Sequence, residues 1–427
     1  MAIRILHTAD WHFGKTLEGR ERFSEQRQFV EELAEICDEE KIDVVLVAGD
    51  VFQTVNPSAQ AEELFFSALS TLAAGGTRGV VVIAGNHDQP ERIKAAQKVA
   101  DQLGITLLGF PKDTIYPLHI GEGRIERLDG GTGWLELSVP GCEEHVVIAA
   151  VPYPSEARLN EVMSETLQDD EFQSRYQARI AELFEQLATH FRTDTVNVVM
   201  SHLYVGGGVE SESEVQIQIG GAYAVDKSVF PKNAHYVALG HLHRPQAVHG
   251  AEVPIRYAGS PLAYSFSEAG QKKSVVVIDA KPGVPATWKE VLLTCGKPLV
   301  KWNATEGIEQ VWQWVQEGKD ENAWIDLSVH VKTGLQLDEI QRLRNMHEGF
   351  IHIRPMMPET SEVGVDRETE DYSTFSVADL FVRFFEERLG VVPEDELVEL
   401  FLEMATNLDD DMEKAVSDQS EKLEMDK

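Results

Sequence analysis

Six short apolar runs in the first 260 residues constrain this chain more than any bulk property. They are IRILHTAD (3 to 10), VVLVAGD (44 to 50), VVVIAGNHD (80 to 88), VVIAAVPY (146 to 153), VNVVMSH (196 to 202) and YVALGH (236 to 241). Each is continuous rather than alternating, rich in β-branched residues and bounded by Gly, Asp, Asn or Pro, as in strands buried on both faces. Helical periodicity fills the gaps. Residues 23 to 38 carry Ser24 near a good N-cap position and Phe29, Leu33 and Ile36 on one face; Tyr176, Ile180, Leu183, Phe184 and Leu187 mark another helix over 174 to 191. Strands alternating with helices predict a layered α/β body.

Five of the six runs end in Asp, His or Asn. Polar side chains crowded at the end of a buried strand cost free energy unless they bond to something. Taken together they are Asp10 and His12 in ADWH, Asp50 in AGD, Asn86 and His87 in GNHD, His202 in SH, and His241 and His243 in GHLH. Strands running to one rim would gather them in one pocket. Two carboxylates, an amide oxygen and several imidazoles, with no thiolate, form a ligand set suited to Mn²⁺, Fe or Zn²⁺, and eight side chains exceed the needs of one ion. Each fragment alone reads equally as a turn with a solvated histidine. Their joint occurrence behind successive apolar runs points to metal.

Charge raises a question about the substrate. The chain carries 38 basic and 72 acidic residues, a formal charge of −34, which repels nucleic acid and anionic lipid. The excess is uneven: from Glu359 to Lys427 there are 22 acidic and 6 basic residues, so nearly half of it lies in the last sixth of the chain. An anionic substrate would need bound cations or a basic partner to offset the repulsion. Cys37, Cys142 and Cys295 form no CxxC pair and support neither a disulfide framework nor a zinc knuckle. No window reaches the roughly 18 apolar residues of a membrane span, and the N-terminus does not fit a signal peptide. The expectation is a soluble cytoplasmic protein with no membrane association.

With 427 residues, two or three domains are expected. The pattern divides into a body over 1–280, a smaller α+β domain over 285–358, a helical segment over 370–408 and an acidic, disordered tail over 409–427. The smaller domain reads β-α-β-α-β, with Trp312, Trp314 and Trp324 as core rather than ligand platform. In the helical segment Ser376 and Asp379 resemble a capping box, followed by Val377, Leu380, Phe381, Phe384 and Leu389 on one face. Leu397, Leu400, Phe401 and Met404 form a second stripe, suited to docking on another protein.

D-x-H, G-D, G-N-H-D, S-H and G-H-x-H in this order resemble the calcineurin-like metallophosphoesterase superfamily. HTADWHFGKTL, VAGDVF, AGNHDQPER, SHLYVGGG, ALGHLHRPQ and YAGSPLAYSFSE narrow the resemblance to its bacterial DNA nucleases, over the body to about residue 270. The resemblance implies a metallophosphoesterase β-sandwich flanked by helices, with the smaller domain as a cap. It implies two divalent ions, Mn²⁺ by preference. Asp10, His12, Asp50 and His243 would hold one and Asp50, Asn86, His202 and His241 the other, with Asp50 bridging. His87 would contact the scissile phosphate as the catalytic residue, and Asp88 would orient His87.

The same resemblance implies 3′-to-5′ exonuclease action on duplex ends and endonuclease action on single strands and hairpins. An ATPase of the structural-maintenance type would be the partner, gripped by the helices at 376 to 406, in an assembly built on a homodimer. Lys15, Arg20, Arg92 and Arg244 adjoin the motifs and are candidates for DNA-backbone contact, with surface salt bridges explaining each equally well. His7 is expected to pack against the first strand. Gln53 stands after GDVF, where relatives often carry an acidic residue or histidine. Two other functions are open: a phosphatase or small-molecule phosphodiesterase of the same fold, disfavoured by GNHD in place of GNHE, and a noncatalytic scaffold, disfavoured by the full set of candidate ligands.

Overall fold

The computed structural model describes residues 2–159, 169–214, 223–332, 334–357, 376–389, 393, 397–398 and 400–402. The chain opens with four strands, β1 (Ile3–Thr8), β2 (Val44–Ala48), β3 (Gly79–Ile83) and β4 (Ile105–Leu108), paired in parallel in that order. Between them lie α1 (Phe23–Glu39), α2 (Ala59–Leu72), and the short α3 (Pro90–Lys94) and α4 (Gln97–Ala100). Helix α1 begins at Phe23 after Arg22, with no side-chain cap, so Ser24 falls inside the first turn instead of capping it.

A second sheet follows. Its strands are β5 (Glu126–Gly131), β6 (Trp134–Ser138), β7 (His145–Val151), β8 (Thr195–His202), β9 (Tyr236–Gly240), β10 (Gln246–Ala247) and β11 (Ile255–Tyr257), in the spatial order β10-β11-β9-β8-β7-β6-β5. Helices α5 (Glu156–Leu159) and α6 (Asp169–Ala188) fall between β7 and β8. The chain then returns to the first sheet through the hairpin β12 (Ser274–Lys281) and β13 (Val284–Leu292), giving the order β13-β12-β1-β2-β3-β4. The boundary expected at residue 280 therefore falls in a hairpin, and the body's sheet continues to Leu292. Strand β13 is exposed along most of its length apart from a buried Ala286, so it lacks the continuous apolar run that marks the central strands.

The period of two along each strand sorts side chains into layers. Ile3, Ile5, Val44, Leu46, Val81 and Ile83 meet Leu135, Ile148, Val198, Met200 and Ala238 between the sheets. Leu6, Val45, Val47, Val80 and Val82 face the other way, onto Phe29, Leu33, Phe65 and Leu69 of α1 and α2. On the far side, Val147, Ala149 and Val199 pack under Tyr176, Ile180, Phe184 and Leu187 of α6. Two sheets covered by helices are the expected layered α/β sandwich. Each buried aliphatic side chain contributes about 1.5–3 kcal/mol over leaving it in water.

Beyond β13 the chain builds β14 (Leu299–Ala304), α7 (Ile308–Gln316), β15 (Trp324–His330), α8 (Leu337–Met346) and β16 (Phe350–Met356), the strands all parallel in the order β14-β15-β16. Val311, Ile325, Leu327, Val329, Leu343 and Phe350 fill its core with Trp302, while Trp312 and Trp314 pack partly buried against it. Trp324 faces the body with Leu17, Phe266 and Leu299. Its indole N–H donates to Glu25 Oε1 at 3.1 Å, and Glu25 also accepts from Lys297 N at 2.6 Å and from the buried guanidinium of Arg22 at 2.5 and 2.7 Å. This small domain is thus anchored at the start of α1, close in sequence to Asp10 and His12.

The chain separates into two compact units at residues 1–358 and 359–427. In the second, α9 (Val377–Leu389) carries the expected capping box: Asp379 N donates to Ser376 Oγ at 3.2 Å and Ser376 N to Asp379 Oδ2 at 3.1 Å. Phe381 stacks on Phe401 with ring centroids 4.0 Å apart, so the two apolar stripes meet. Met404 and the tail over 409–427 lie outside the described residues.

Candidate metal centre

All eight singled-out side chains sit beyond or at the C-terminal ends of β1, β2, β3, β8 and β9, three strands of one sheet and two of the other. Past the sheet edge the loops after β1 and β2 run side by side, with Asp10 N donating to Gly49 O at 3.0 Å and His12 N to Asp50 O at 3.0 Å. Asp10, His12, Asp50 and His241 all have positive φ, at 53°, 46°, 49° and 110°. Non-glycine residues adopt such angles at a cost of order 1–3 kcal/mol each, sustained only where surrounding structure enforces them. Four such residues in one rim mark where this fold stores strain.

The glycines of G-D, G-N and G-H are part of the site, a role the motifs alone do not reveal. A Cβ on Gly49 would meet His202 Nδ1 at 2.3 Å, one on Gly85 would meet Asp50 Oδ1 at 2.1 Å, and one on Gly240 would meet Ala48 O at 1.8 Å. At Gly49 and Gly240 the two sheets, and at Gly85 two loops of the first sheet, approach so closely that only hydrogen fits.

Hydrogen bonds fix which imidazole nitrogen faces the centre. His202 Nδ1 lies 2.9 Å from Ala48 O and His87 Nδ1 lies 2.8 Å from Gln53 O; a carbonyl only accepts, so each Nδ1 carries the proton and turns Nε2 inward. For His243, Nδ1 lies 2.5 Å from Ser213 Oγ, whose hydroxyl in turn donates to Glu268 Oε1 at 2.5 Å, again leaving Nε2 free. Lys273 pairs with the far oxygen of Glu268 and donates to His243 O at 2.9 Å. Such outer partners orient metal-binding histidines. Glu214 Oε1 accepts from His243 N at 2.6 Å. No motif signals Ser213, Glu214 or Lys273, and Glu268 is marked only by its place at the end of the SFSE stretch.

The inward-facing atoms are close together. His12 Nε2 lies 2.9 Å from His243 Nε2 and 3.7 Å from Asp50 Oδ2, while His202 Nε2 lies 2.8 Å from Asn86 Oδ1 and 3.5 Å from Asp50 Oδ2. His241 packs edge-on to His202, ring centroids 5.5 Å apart, and its backbone N–H donates to Asp10 Oδ1 at 2.9 Å. Among the described residues two triads have ligand atoms within 4.8 Å of one another, His12 with Asp50 and His87, and Asp10 with Asp50 and His202. Asp50 belongs to both. Asp10 Oδ2 and His12 Nδ1 are buried with no hydrogen-bond partner. Orphaned donors and acceptors amid carboxylates and imidazoles fit bound divalent cations.

Burial and their mutual charges perturb the Asp and His side chains of this cluster. Burial pushes the Asp10 carboxyl well above its usual range, the nearby Asp50 adding to the effect and His202 opposing it. Burial also works against the Asp50 carboxylate, yet His202, His87 and His12 hold it well below the ordinary value. Burial lowers His12 well below its usual value, His241 to about 3 and His243 to about 4, so these imidazoles are neutral and keep a lone pair. His202 goes the other way: burial opposes its charge, but Asp50 and Asp10 raise it to about 9.

The Asp88 carboxylate makes no hydrogen bond to the His87 imidazole. Its carboxylate accepts from Gly85 N at 2.8 Å, Phe52 N at 2.9 Å and Val51 N at 3.1 Å, so it joins the loops after β2 and β3 instead of orienting the imidazole, which Gln53 O does. Because the Gln53 contact is through its backbone, the residue type there is immaterial to it. Burial, with Asp50 nearby, raises Asp88 to about 6. Of the cations near the motifs, Lys15 donates to Ser213 O at 2.9 Å over the Tyr264 ring, and Arg92 pairs with Glu62 at 2.6 Å. Arg20 and Arg244 are exposed. His7 is buried against Tyr236 OH and Leu239 O, a core residue as expected.

Residues 3–245 match the calcineurin-like phosphoesterase family. The chain belongs to that family. Residues 295–388 match the family described as type 5 capsule protein repressor C-terminal domain. The SbcD subunit of nuclease SbcCD from Bacillus subtilis (strain 168) is 49% identical over 410 residues, which cover 96% of this chain and 99% of that protein. Its counterpart from Rhodobacter capsulatus, also an SbcD subunit of nuclease SbcCD, is 36% identical over 285 residues, covering 66% of this chain and 67% of that one. No described helix is long and apolar enough to cross a membrane.

Proposed function

We propose that this chain is the nuclease subunit of an SbcCD-type complex, hydrolysing DNA phosphodiesters at the rim shared by the two sheets. The observation that carries the reading is the convergence of Asp10, His12, Asp50, Asn86, His87, His202, His241 and His243, with the Nε2 atoms of His87, His202 and His243 turned inward by fixed partners. Similarity to two SbcD subunits of nuclease SbcCD, nearly full-length for the Bacillus protein, supports the substrate.

In this reading Asp10, His12, Asp50 and His243 hold one divalent ion and Asp50, Asn86, His202 and His241 a second, with Mn²⁺ the preferred metal. Bound there, the ions would activate a water and neutralise the phosphate oxygens for in-line displacement. The protein's own part is to hold that array rigid and to aim His87. Gln53 O fixes His87 Nδ1–H, and Asp50 Oδ1 accepts from His87 N at 2.9 Å, which leaves Nε2 of this half-buried residue to face the scissile phosphate; in its imidazolium form the ring gives the Nε2 proton to the leaving oxygen and returns to the neutral Nδ1–H tautomer. Asn86 contributes a neutral oxygen that limits the negative charge facing an anionic substrate.

The activities we assign are 3′-to-5′ exonuclease on duplex ends and endonuclease on single strands and hairpins, in the cytoplasm at the nucleoid. An SbcC-like ATPase is the partner, docked on the α9 segment, with the homodimer as the core of a heterotetramer. Its basic surface would offset the charge of −34.

The test is cleavage of an end-labelled DNA hairpin with Mn²⁺, Mg²⁺ or chelator, with and without the SbcC-like partner and ATP. We expect Mn²⁺-dependent cutting that chelator abolishes and that His87→Ala slows by about 10²–10⁴-fold while still binding metal. Hydrolysis of nitrophenyl phosphates with no action on DNA would instead identify a phosphatase, and failure to bind any divalent metal would identify a scaffold.

A further inference from the structure

Asn86 and His87 lie in a loop of bends with no ladder or helix to hold it. Its lower support is the Asp88 carboxylate, which takes the Gly85, Val51 and Phe52 N–H groups. Its carbonyls are satisfied from another element. Arg158, in the short helix α5 that follows β7 of the second sheet, donates from Nη1 to Gly85 O at 2.7 Å and from Nη2 to Asp88 O at 2.6 Å. Those two carbonyls bracket Asn86 and His87. The same segment adds a third tie, Tyr153 N to Ala84 O at 2.9 Å, and the Arg158 guanidinium lies over the Tyr153 ring, 5.2 Å from its centroid.

We propose that Arg158 is a positioning residue: its guanidinium chelates the carbonyls on either side of Asn86 and His87, and so holds Asn86 against the second sheet's His202 and His87 against Gln53 O and the His12 ring. The proposal deepens the functional reading and rests on the roles given there to Asn86 and His87. Three features support it. The planar fork matches two convergent carbonyls in a way a point-charge ammonium cannot. The tie runs from the second sheet to the loop of the first, and Asn86 Oδ1 must meet His202 Nε2 across that gap, where they lie 2.8 Å apart. Asp88 and Asp50 lie near the cation and offset part of the cost of burying it.

The test compares the parent chain with Arg158→Met and Arg158→Lys. Hydrogen exchange of the peptide spanning 84–92 reads the clamp without metal or substrate. Hydrolysis of bis-p-nitrophenyl phosphate with Mn²⁺ reads its consequence. In Arg158→Met we expect exchange at 85–89 to accelerate about tenfold or more with β8 still protected. We also expect kcat to fall by about 10–100-fold with KM within about threefold, and Arg158→Lys to recover part of both. Unchanged exchange and kcat in a folded Arg158→Met would overturn the proposal, as would acceleration spread equally over β8, which marks a general loss of structure. Should Arg158→Met not fold, Arg158→Lys carries the same comparison with a smaller expected effect. A parent protein inactive on any phosphodiester, with exchange still accelerated in the variant, would sink the functional reading and leave the clamp standing.

Discussion

Gly240→Ala puts the close approach of the two sheets to a direct test. A methyl group there would lie 1.8 Å from Ala48 O and 2.8 Å from His202 Nδ1, so the strand ends must part by about 1.2 Å to reach even 3.0 Å, the tightest approach such carbons show. That movement stretches the 2.9 Å bond from His202 Nδ1 to Ala48 O. Overpacking costs about 1–3 kcal/mol and a broken buried hydrogen bond about 1–3 kcal/mol, together roughly 2–6 kcal/mol. Activity should suffer more than stability, since a 1 Å misplacement in a catalytic array costs on the order of 10²-fold. Urea unfolding and Mn²⁺-dependent phosphodiester hydrolysis measure the two effects. Gly334→Ala is the control: its added Cβ meets nothing within 4 Å and its φ is not left-handed. A Gly240→Ala protein within threefold of parent activity and with the parent's urea midpoint would refute the steric account.

Two further outcomes follow from buried charge. Glu25→Ala leaves the fully buried Arg22 guanidinium without its carboxylate and removes the acceptor for Trp324 and Lys297; a loss of about 3–5 kcal/mol is expected, with faster proteolysis between β13 and β14. Glu136 accepts two bonds from Arg192 at 2.8 Å, which hold its carboxyl below the ordinary value of 4.5. A depressed carboxylate stabilises the fold above its unfolded-state value and loses that contribution as pH falls through the folded one. Glu136→Gln should therefore lower the urea midpoint at pH 7, and the gap from the parent should narrow below about pH 4.5; a gap that widens on acidification would contradict the pairing.

The central strands were legible because both of their faces are covered, which forces continuous runs such as VVLVA and VVVIA that no surface element tolerates. The β-α-β-α-β order of the elements after Leu292 was legible for a different reason, each carrying a clear period. Strand β5, polar and half-buried, and strand β13, largely exposed, left no such trace, and the body's edge at Leu292 went unread with them. The site divides similarly. Its eight polar side chains stand out because polarity at a buried strand's end needs a cause. Arg158, Ser213, Glu214 and Lys273 are single polar residues in loops and short turns, where such residues are commonplace, and nothing local distinguishes them.

By itself, then, the sequence determined the layered architecture and the inventory of candidate ligands, since burial and strand period are properties of short stretches. Only the tertiary structure decided how those ligands are held: that Asp88 braces two loops rather than His87, that carbonyls choose the tautomers of His87 and His202, that Gly49 and Gly240 let the two sheets close, and that Gly85 lets its loop close on Asp50. The longest of those hydrogen bonds, His202 to Ala48, joins residues 154 positions apart, and contacts at that separation arise only when the sheets pack.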